Sequence, residues 1–435
     1  MKSYSIVTLG CKVNQYESSV ISAILESMNY LYKKFPDTCD IYVVNTCTVT
    51  SMSDKKSRQM IHKAKILNPD CIIIATGCLA QQDPDILVKN GADIVLGNYE
   101  KNYIEEILTD LLKENKPKLV SVSDISKQAE YIKNRFPDKW ERTRGYLKIQ
   151  DGCDNFCSYC IIPYVRGRVR SRDIEDIVKE AEHMASRGIK EVVLTGIHLD
   201  SYGKGIANLS LINVIARLNE IKGLRRIRLG SLEPNVITDS FVSEIKKYTK
   251  LCPHFHMSLQ SGSDKVLKDM NRRYDSSMFI NAVKKLRNDI SNVEITTDII
   301  VGYPTETDED FQKSIDMVND AMFIKTHVFK FSKRIGTAAE NLKPLNNSTL
   351  SERSEKLIAF SSEISKKRLY EYIGTSMQIL IEEDEDNFIK GHTVNYIMVT
   401  AKKNERDEKS ECINTFCDIS ITGVSKDGLE GIILS

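Results

Sequence analysis

The chain has 435 residues, 41% hydrophobic and 28% charged, which suits a globular protein of about three domains. Its 61 lysines and arginines against 60 acidic residues leave a formal charge of +1, so any nucleic-acid surface has to be local. No run of about 18 apolar residues could span a membrane, the first residues lack a secretory pattern, and eleven cysteines in so large a chain point to a reducing, cytoplasmic compartment where grouped thiols bind metal or do chemistry.

In chain order, the first third alternates short β-branched runs with helical stretches, the pattern of an α/β domain with a parallel sheet. The runs YSIVTLG, DIYVVNT and CIIIATG each end directly on a cysteine: Cys11, Cys47 and Cys78. Strand ends in a parallel sheet lie along one edge, where α/β folds place ligands, so three thiols distant in sequence are expected to meet there. One such cysteine would be read as a small core residue. Three in the same register favour a cluster site. From Lys113 to Trp140 the text turns polar and charged and reads as a linker.

From Tyr146 a second series follows: YLKIQ, EVVLTG, RIRLGS, HFHMSL, EITTDIIVG and HVFKFS, with helical stretches between. Six β/α units imply a barrel or partial barrel with function at the strands' C-terminal ends. Just past the first strand lies C-x3-C-x2-C, namely Cys153, Cys157 and Cys160. Three thiolates on one loop select a soft metal centre. A structural zinc would want a fourth Cys or His nearby, and IIPYVRGR supplies none. Three cysteines on a four-iron cluster leave one iron open for a ligand, with Phe156 and Tyr159 placed to shield it. Arg166, Arg168, Arg170 and Arg172 then alternate; in an extended loop they would share one side and could grip phosphates, the alternative being a solvated face. After Gly374 come short alternating strands, read as a small all-β barrel of a kind that binds RNA, with His392, Asn395, Tyr396, Lys402 and Lys403 as candidate contacts. Cys39, Cys71, Cys252, Cys412 and Cys417 are read as structural.

C-x3-C-x2-C at the end of a first barrel strand resembles the radical S-adenosylmethionine superfamily. The whole chain is similar to the methylthiotransferases, through TLGCKVNQYES, VVNTCTVTSMSDKKSRQMI, ATGCLAQ, QDGCDNFCSYCIIPYVRGRVRSR and GHTVNY. That resemblance implies a fold of class α/β in three parts. These are an N-terminal parallel-sheet domain (1–113) with an auxiliary cluster, then a linker (114–140), a partial (β/α)6 radical domain (141–368), and an RNA-binding TRAM barrel (369–435). It implies two [4Fe-4S] clusters, on Cys11/Cys47/Cys78 and Cys153/Cys157/Cys160, and S-adenosyl-L-methionine as cofactor. The backbone near Gly196, the Ser258 and Gln260 positions, and the Asp298–Gly302 segment would contact that cofactor. His198, His254 and His256 receive no metal role, because cysteines already provide for both clusters.

The motifs look most like the bacterial branch acting on N6-threonylcarbamoyladenosine at position 37 of tRNA. The implied chemistry puts sulfur on the auxiliary cluster, methylates it with one S-adenosylmethionine, and uses a second to make the radical that takes hydrogen from C2. Implied partners are the tRNA anticodon stem-loop, a sulfur source and an electron donor. The oligomeric state stays open. The alternatives are isopentenyladenosine in tRNA or a ribosomal protein as substrate, or a non-catalytic iron–sulfur RNA-binding protein.

Overall fold

A computed structural model describes residues 1–111, 113, 118–133, 135–137, 143–385, 387–403 and 412–434. The β-branched runs of the first third form β1 (Ser3–Thr8), β2 (Leu31–Tyr32), β3 (Ile41–Thr46), β4 (Ile72–Gly77), β5 (Ile94–Leu96) and β6 (Leu119–Ser121), a parallel sheet in the order β2-β1-β3-β4-β5-β6. Helices α1 (Lys12–Ser27), α2 (Ser51–Leu67), α3 (Cys78–Gln82), α4 (Pro84–Lys89) and α5 (Ile104–Leu111) connect them. Strand β3 is buried along its whole length, as a continuous apolar run requires of a central parallel strand. Its alternate residues feed two cores: Ile41 and Val43 pack with α1, Tyr42 and Val44 with Ile61 and Ala64 of α2. Helix α1 answers with Val13, Tyr16, Val20, Ile24 and Leu25, a 3.6-residue stripe.

The stretch expected to be a linker contributes to this domain instead. Strand β6 pairs with β5 as the sheet's edge, and Ile125 beyond it is buried. An edge strand needs only one paired side and keeps polar neighbours, which is why its text read as connecting chain. Residues 114–117, 134 and 138–140 of that stretch lie outside the described residues.

The central domain begins with β7 (Arg144–Lys148), β8 (Gln150–Asp151), α6 (Ile162–Arg166), β9 (Arg170–Ser171) and α7 (Ile174–Ser186). It continues through β10 (Glu191–Thr195), α8 (Leu211–Asn219), β11 (Arg226–Leu229), β12 (Ser231–Leu232), α9 (Asp239–Ile245), β13 (His254–Gln260), α10 (Asp264–Asp269) and α11 (Ser276–Asp289). Last come β14 (Glu294–Val301), α12 (Asp308–Ala321), β15 (Lys325–Lys330) and the long α13 (Asn347–Tyr370). Parallel sheets β11-β10-β7 and β12-β13-β14-β15 are joined where one strand course breaks at Gly230, giving six strand courses in an open barrel. Phe255, Met257 and Leu259 of β13 point outward into the main core, so His254, His256 and Ser258 face the lumen.

The tail forms β16 (Ser376–Asp384), β17 (Phe388–Thr393), β18 (Met398–Lys402), β19 (Phe416–Val424) and β20 (Leu429–Ile433), a closed barrel in the order β16-β17-β18-β20-β19. It docks on the N-terminal ends of the central strands. Arg226 donates to the carbonyls of His392 and Gln378 at 3.0 Å, and Arg144 pairs with Glu382 at 3.0 Å. The β17–β18 turn carries Tyr396 at φ +71°, with its ring between the guanidiniums of Arg144 (5.1 Å) and Arg228 (4.6 Å) and stacked on His392. Asn395 is buried and bonds to the Tyr372 hydroxyl and the Asn292 carbonyl. Two expected RNA contacts, Asn395 and Tyr396, are therefore docking residues. Among the described residues no helix is long and apolar enough to cross a membrane.

Candidate functional site

The three N-terminal cysteines meet because their strands end in register. Cys11 caps the N-terminus of α1, Cys47 follows β3, and Cys78 opens α3. The glycines before two of them are required. Gly10, at φ +97°, leaves room for Cys47, whose Sγ would lie 2.9 Å from an added Cβ; Gly77, at φ +95°, passes the Thr46 carbonyl where a Cβ would come within 2.4 Å. Asn14 ties the edge together by donating to the carbonyls of Leu9 (2.7 Å) and Thr46 (3.0 Å). Cys47 and Cys78 are buried, and Cys11 is water-accessible although protein surrounds it, as befits a group lining a cavity.

The second triplet sits on the loop that β8 and β9 close. The Cys153 amide donates to the Gly167 carbonyl at 3.0 Å and the Cys160 amide to the Cys157 carbonyl at 2.9 Å, so the loop folds back on itself. Arg272 donates to Cys157 Sγ at 3.1 Å and to Glu233 at 2.7 Å. Asn155 bonds to Glu233 and His198, both at 3.1 Å, and the His198 amide donates to Gln150 beneath Gly196. Phe156, at φ +47°, packs edge-on against Tyr164 under the Arg168 guanidinium. Sequence reasoning missed Asn155, Glu233 and Arg272. The signal was available for Glu233, which follows RIRLGSL at a strand's C-terminal end as the predicted residues do.

A buried charge network clasps the two loops. Glu17 of α1 accepts from Arg166 at 2.6 and 3.1 Å, from Lys148 at 2.7 Å and from Lys101 at 2.6 Å. Arg166 also reaches Asn14 (2.5 Å) and Asp151 (3.4 Å), and Lys148 reaches Asp151 at 2.6 Å. Asn98 joins Lys101 to the Val165 carbonyl, with Cys78 Sγ 4.0 Å away. A second clasp lies across the cleft, where Arg334 donates to Thr48 and Asp54 at 2.7 Å, next to Cys47.

This arrangement tests which centre the thiols suit. Neither triplet belongs to the groups of described donors lying within 4.8 Å of one another, the spacing at which one ion gathers three ligands. A multi-iron cluster accepts a wider set. The network holds Lys101, Lys148, Arg166 and Arg170 against only Glu17 and Asp151, a surplus of positive charge beside Cys11 and Cys78. Lys101 registers that surplus. Burial, with repulsion from Arg166 and Lys148, pushes it down to about 8 even against Glu17. A thiolate-ligated cluster would bring the missing negative charge, so the residues fit a four-iron cluster at the N-terminal triplet, and at the second the Arg272 guanidinium donating to Cys157 Sγ at 3.1 Å suits a thiolate ligand. Burial also pushes Cys47 and Cys153 up to about 11 and Cys160 to about 12. Cluster loading should therefore release protons and proceed further at pH 8.5 than at pH 7, roughly, as iron analysis after anaerobic reconstitution would show.

The arginine run departs from expectation. Arg166, Arg170 and Arg172 are buried, and only Arg168 is exposed, its side chain 56% open. Arg166 ends helix α6 and Gly167 turns the chain at φ +72°, so the run is not extended and its alternation places no common face outward. Arg170 donates to the Arg166 carbonyl at 2.9 Å, and Arg172 pairs with Glu180 and Asp176. Exposed cations gather instead on α2, at Lys55, Lys56 and Lys63. Of the predicted cofactor residues, Ser258 is tied to the Cys157 loop through its carbonyl, which accepts from Tyr274, itself bonded to Arg272. Gln260 takes φ +68° at a register shift in β13. Asp298 lies 3.1 Å from His256 in the lumen. Gly302, at φ +73°, makes room for Leu350 of α13, which an added Cβ would strike at 2.0 Å; packing accounts for it.

Residues 147–318 match the radical SAM superfamily, and residues 3–97 match the uncharacterized protein family UPF0004. The chain is 38% identical to the threonylcarbamoyladenosine tRNA methylthiotransferase MtaB of Bacillus subtilis, over 93% of this chain and 91% of that one. It is 39% identical to the protein of the same name from Thermotoga maritima, over 88% and 87%. Identity is 34% to the tRNA-2-methylthio-N(6)-dimethylallyladenosine synthase of Natranaerobius thermophilus, over 97% and 94%. Among solved structures, the radical S-adenosylmethionine methyltransferase TsrM from Kitasatospora setae superposes with a TM-score of 0.57 at 17% identity, over 78% and 77%; the likeness is one of fold.

Proposed function

Because the chain belongs to the radical S-adenosylmethionine methylthiotransferases, we propose that it adds a methylthio group to C2 of N6-threonylcarbamoyladenosine at position 37 of tRNA. The observation that carries this reading is the pair of cysteine triplets, drawn from two domains and held across one cleft by the Glu17–Arg166 network. Clusters on Cys153/Cys157/Cys160 and on Cys11/Cys47/Cys78 would supply, when bound, the reductive cleavage of S-adenosylmethionine and the sulfur to be transferred. The protein's own part is positioning.

Arg272, between Cys157 and Glu233, would take the carboxylate of S-adenosylmethionine, and Glu233, 3.5 Å from His198, would take its ammonium group. Phe156 and Tyr159 exclude water from the loop. Docked on the opposite end of the barrel, the small β-barrel leaves the cleft open to an anticodon loop, and Lys55 and Lys56, next to Asp54 near the start of α2, offer phosphate contacts beside it. The threonylcarbamoyl substrate is favoured over the dimethylallyl one by the higher identity to the MtaB relatives and by a polar lumen of His256, Thr296, Asp298 and His327.

Deleting the gene should abolish 2-methylthio-N6-threonylcarbamoyladenosine in total tRNA, with unmethylthiolated N6-threonylcarbamoyladenosine in its place. Mass spectrometry of digested nucleosides reads the result. Loss of the dimethylallyl counterpart instead would overturn the substrate assignment.

A further inference from the structure

Arg166, Arg170 and Arg172 lie inside the protein, so a surface that grips RNA has to be built elsewhere. Helix α2 supplies one. Its inner face is tied to the N-terminal triplet: Ser57 Oγ lies 3.4 Å from the Cys47 amide nitrogen, and Asp54 holds Arg334 across the cleft at 2.7 Å. Its outer face presents Lys55, Lys56, Gln59, His62 and Lys63 to solvent, with Arg58 half-buried at the side. From Lys55 to Lys63 the stripe runs about 12 Å outward from the cleft. The helix's other charges are matched, Asp54 to Arg334 and Lys65 to Asp93. Among the described residues no carboxylate pairs with Lys55, Lys56, Arg58 or Lys63. Five of these side chains, Lys55, Arg58, Gln59, His62 and Lys63, line a groove of about 340 Å³ together with Asn90, the residue that ends α4. In a chain of formal charge +1, that is a local excess of positive charge.

The lining favours a nucleic acid over an acidic protein. A protein interface has an aromatic or aliphatic centre and is depleted in lysine, whereas the one apolar member of this groove is Ile66, at its outer end. Gln59 and Asn90 add neutral donors of the kind that position a phosphate or a ribose. The cations step by one helical turn, about 5.4 Å, which is comparable with the separation of successive phosphates on one strand. With base 37 at the Cys47 end of α2, the chain that leaves it enters the 3′ strand of the anticodon stem. We infer that the groove between α2 and α4 binds the phosphates of that strand, so that the N-terminal domain grips the stem while the cleft holds the loop. The inference rests on the tRNA reading above. Phosphate contacts carry no sequence information, so this grip would serve every tRNA that presents the base to be modified.

The test uses the cluster-reconstituted full chain and anticodon stem-loops carrying threonylcarbamoyl-A37, with affinity read by fluorescence anisotropy. In one RNA the 3′-strand stem phosphates are replaced by neutral methylphosphonates, in another the 5′-strand ones. Wild type should bind the first about tenfold more weakly than the all-phosphate RNA at low salt, and the second nearly as well. That comparison needs no variant to fold. Arg58→Gln combined with Lys63→Gln should weaken binding of the all-phosphate RNA by a similar factor and reduce the salt slope by about two. In that variant, neutralising the 3′ strand should cost little more, because the partners of those phosphates are already gone. Wild-type affinity that ignores 3′-strand neutralisation, or a double variant that keeps wild-type affinity and slope, overturns the inference and leaves the groove to an acidic protein surface. Methylthio product from wild type, scored on the same all-phosphate RNA, keeps the two failures apart. Product formed while the groove results fail strikes the groove alone; no product means that the substrate reading has failed, and the placement of the stem with it.

Discussion

Replacing Glu17 by Gln should lower the melting temperature by about 10 °C. Glu17 is 6% exposed and answers three cations, Arg166, Lys148 and Lys101, at 2.6–3.1 Å. Burial alone would raise its carboxyl, but Arg166, Lys101 and Lys148 outweigh burial and hold it well below the usual carboxylate range. The amide keeps the shape and removes the charge, leaving Asp151 alone against four buried cations. Breaking one buried pair costs about 3–5 kcal/mol, a large share of a total near 5–15 kcal/mol. At about 2–4 °C per kcal/mol for a chain larger than a small domain, the shift is readable by scanning calorimetry.

The linkage has a definite sign. Because the folded carboxyl is depressed, its stabilisation is complete above the unfolded value of about pH 4.3 and fades as pH falls toward the folded one. Wild type should therefore lose its advantage over Glu17→Gln in acid. A paired change, Glu17→Gln with Arg166→Met, should recover part of the stability, since it removes one of the three cations that the loss of the carboxylate leaves unanswered, Lys101 and Lys148 remaining. An unchanged melting temperature in Glu17→Gln would mean that the network clasps nothing.

That network shows where sequence reading stops. Cys11, Cys47 and Cys78 were legible because a strand directly followed by a cysteine recurs in the same local order, and parallel pairing converts that register into proximity. The three-part α/β, barrel and β-barrel architecture was legible for the same reason, as periodicity is local. Glu17 and Arg166 are 149 positions apart and Lys148 lies 131 from Glu17, and no local pattern marks them as partners. The alternating arginines misled through the same limit. Alternation fixes a common face only in an extended chain, and Gly167 interrupts this one. Tyr396 stood in an RNA-binding tail by composition, yet its turn is folded into the neighbouring barrel, a tertiary fact that 19° stacking on His392 and the flanking Arg144 and Arg228 make plain.

The two triplets should separate cleanly when each loses one thiol. Cys47 and Cys157 are both buried, and truncating either sulfur opens a small cavity costing about 1–2 kcal/mol, too little to unfold the chain. Every candidate ligand of one triplet comes from the N-terminal sheet and every ligand of the other from the β8–β9 loop, so losing one site leaves the other's donors in place. Cys157→Ala also removes the sulfur that accepts from Arg272 at 3.1 Å, and with it the contact orienting that guanidinium. Each variant should retain about four irons per chain where wild type binds about eight. Under dithionite, Cys157→Ala should form no 5′-deoxyadenosine and no methylthio product. Cys47→Ala should still form 5′-deoxyadenosine while the methylthio product falls at least a hundredfold, because the cleavage site keeps all its ligands and the sulfur site does not. Methylthio product from Cys47→Ala at wild-type level would remove the N-terminal triplet from the reaction. Loss of 5′-deoxyadenosine in that same variant, with four irons still bound, would show instead that the inter-domain clasp makes the two sites a single unit.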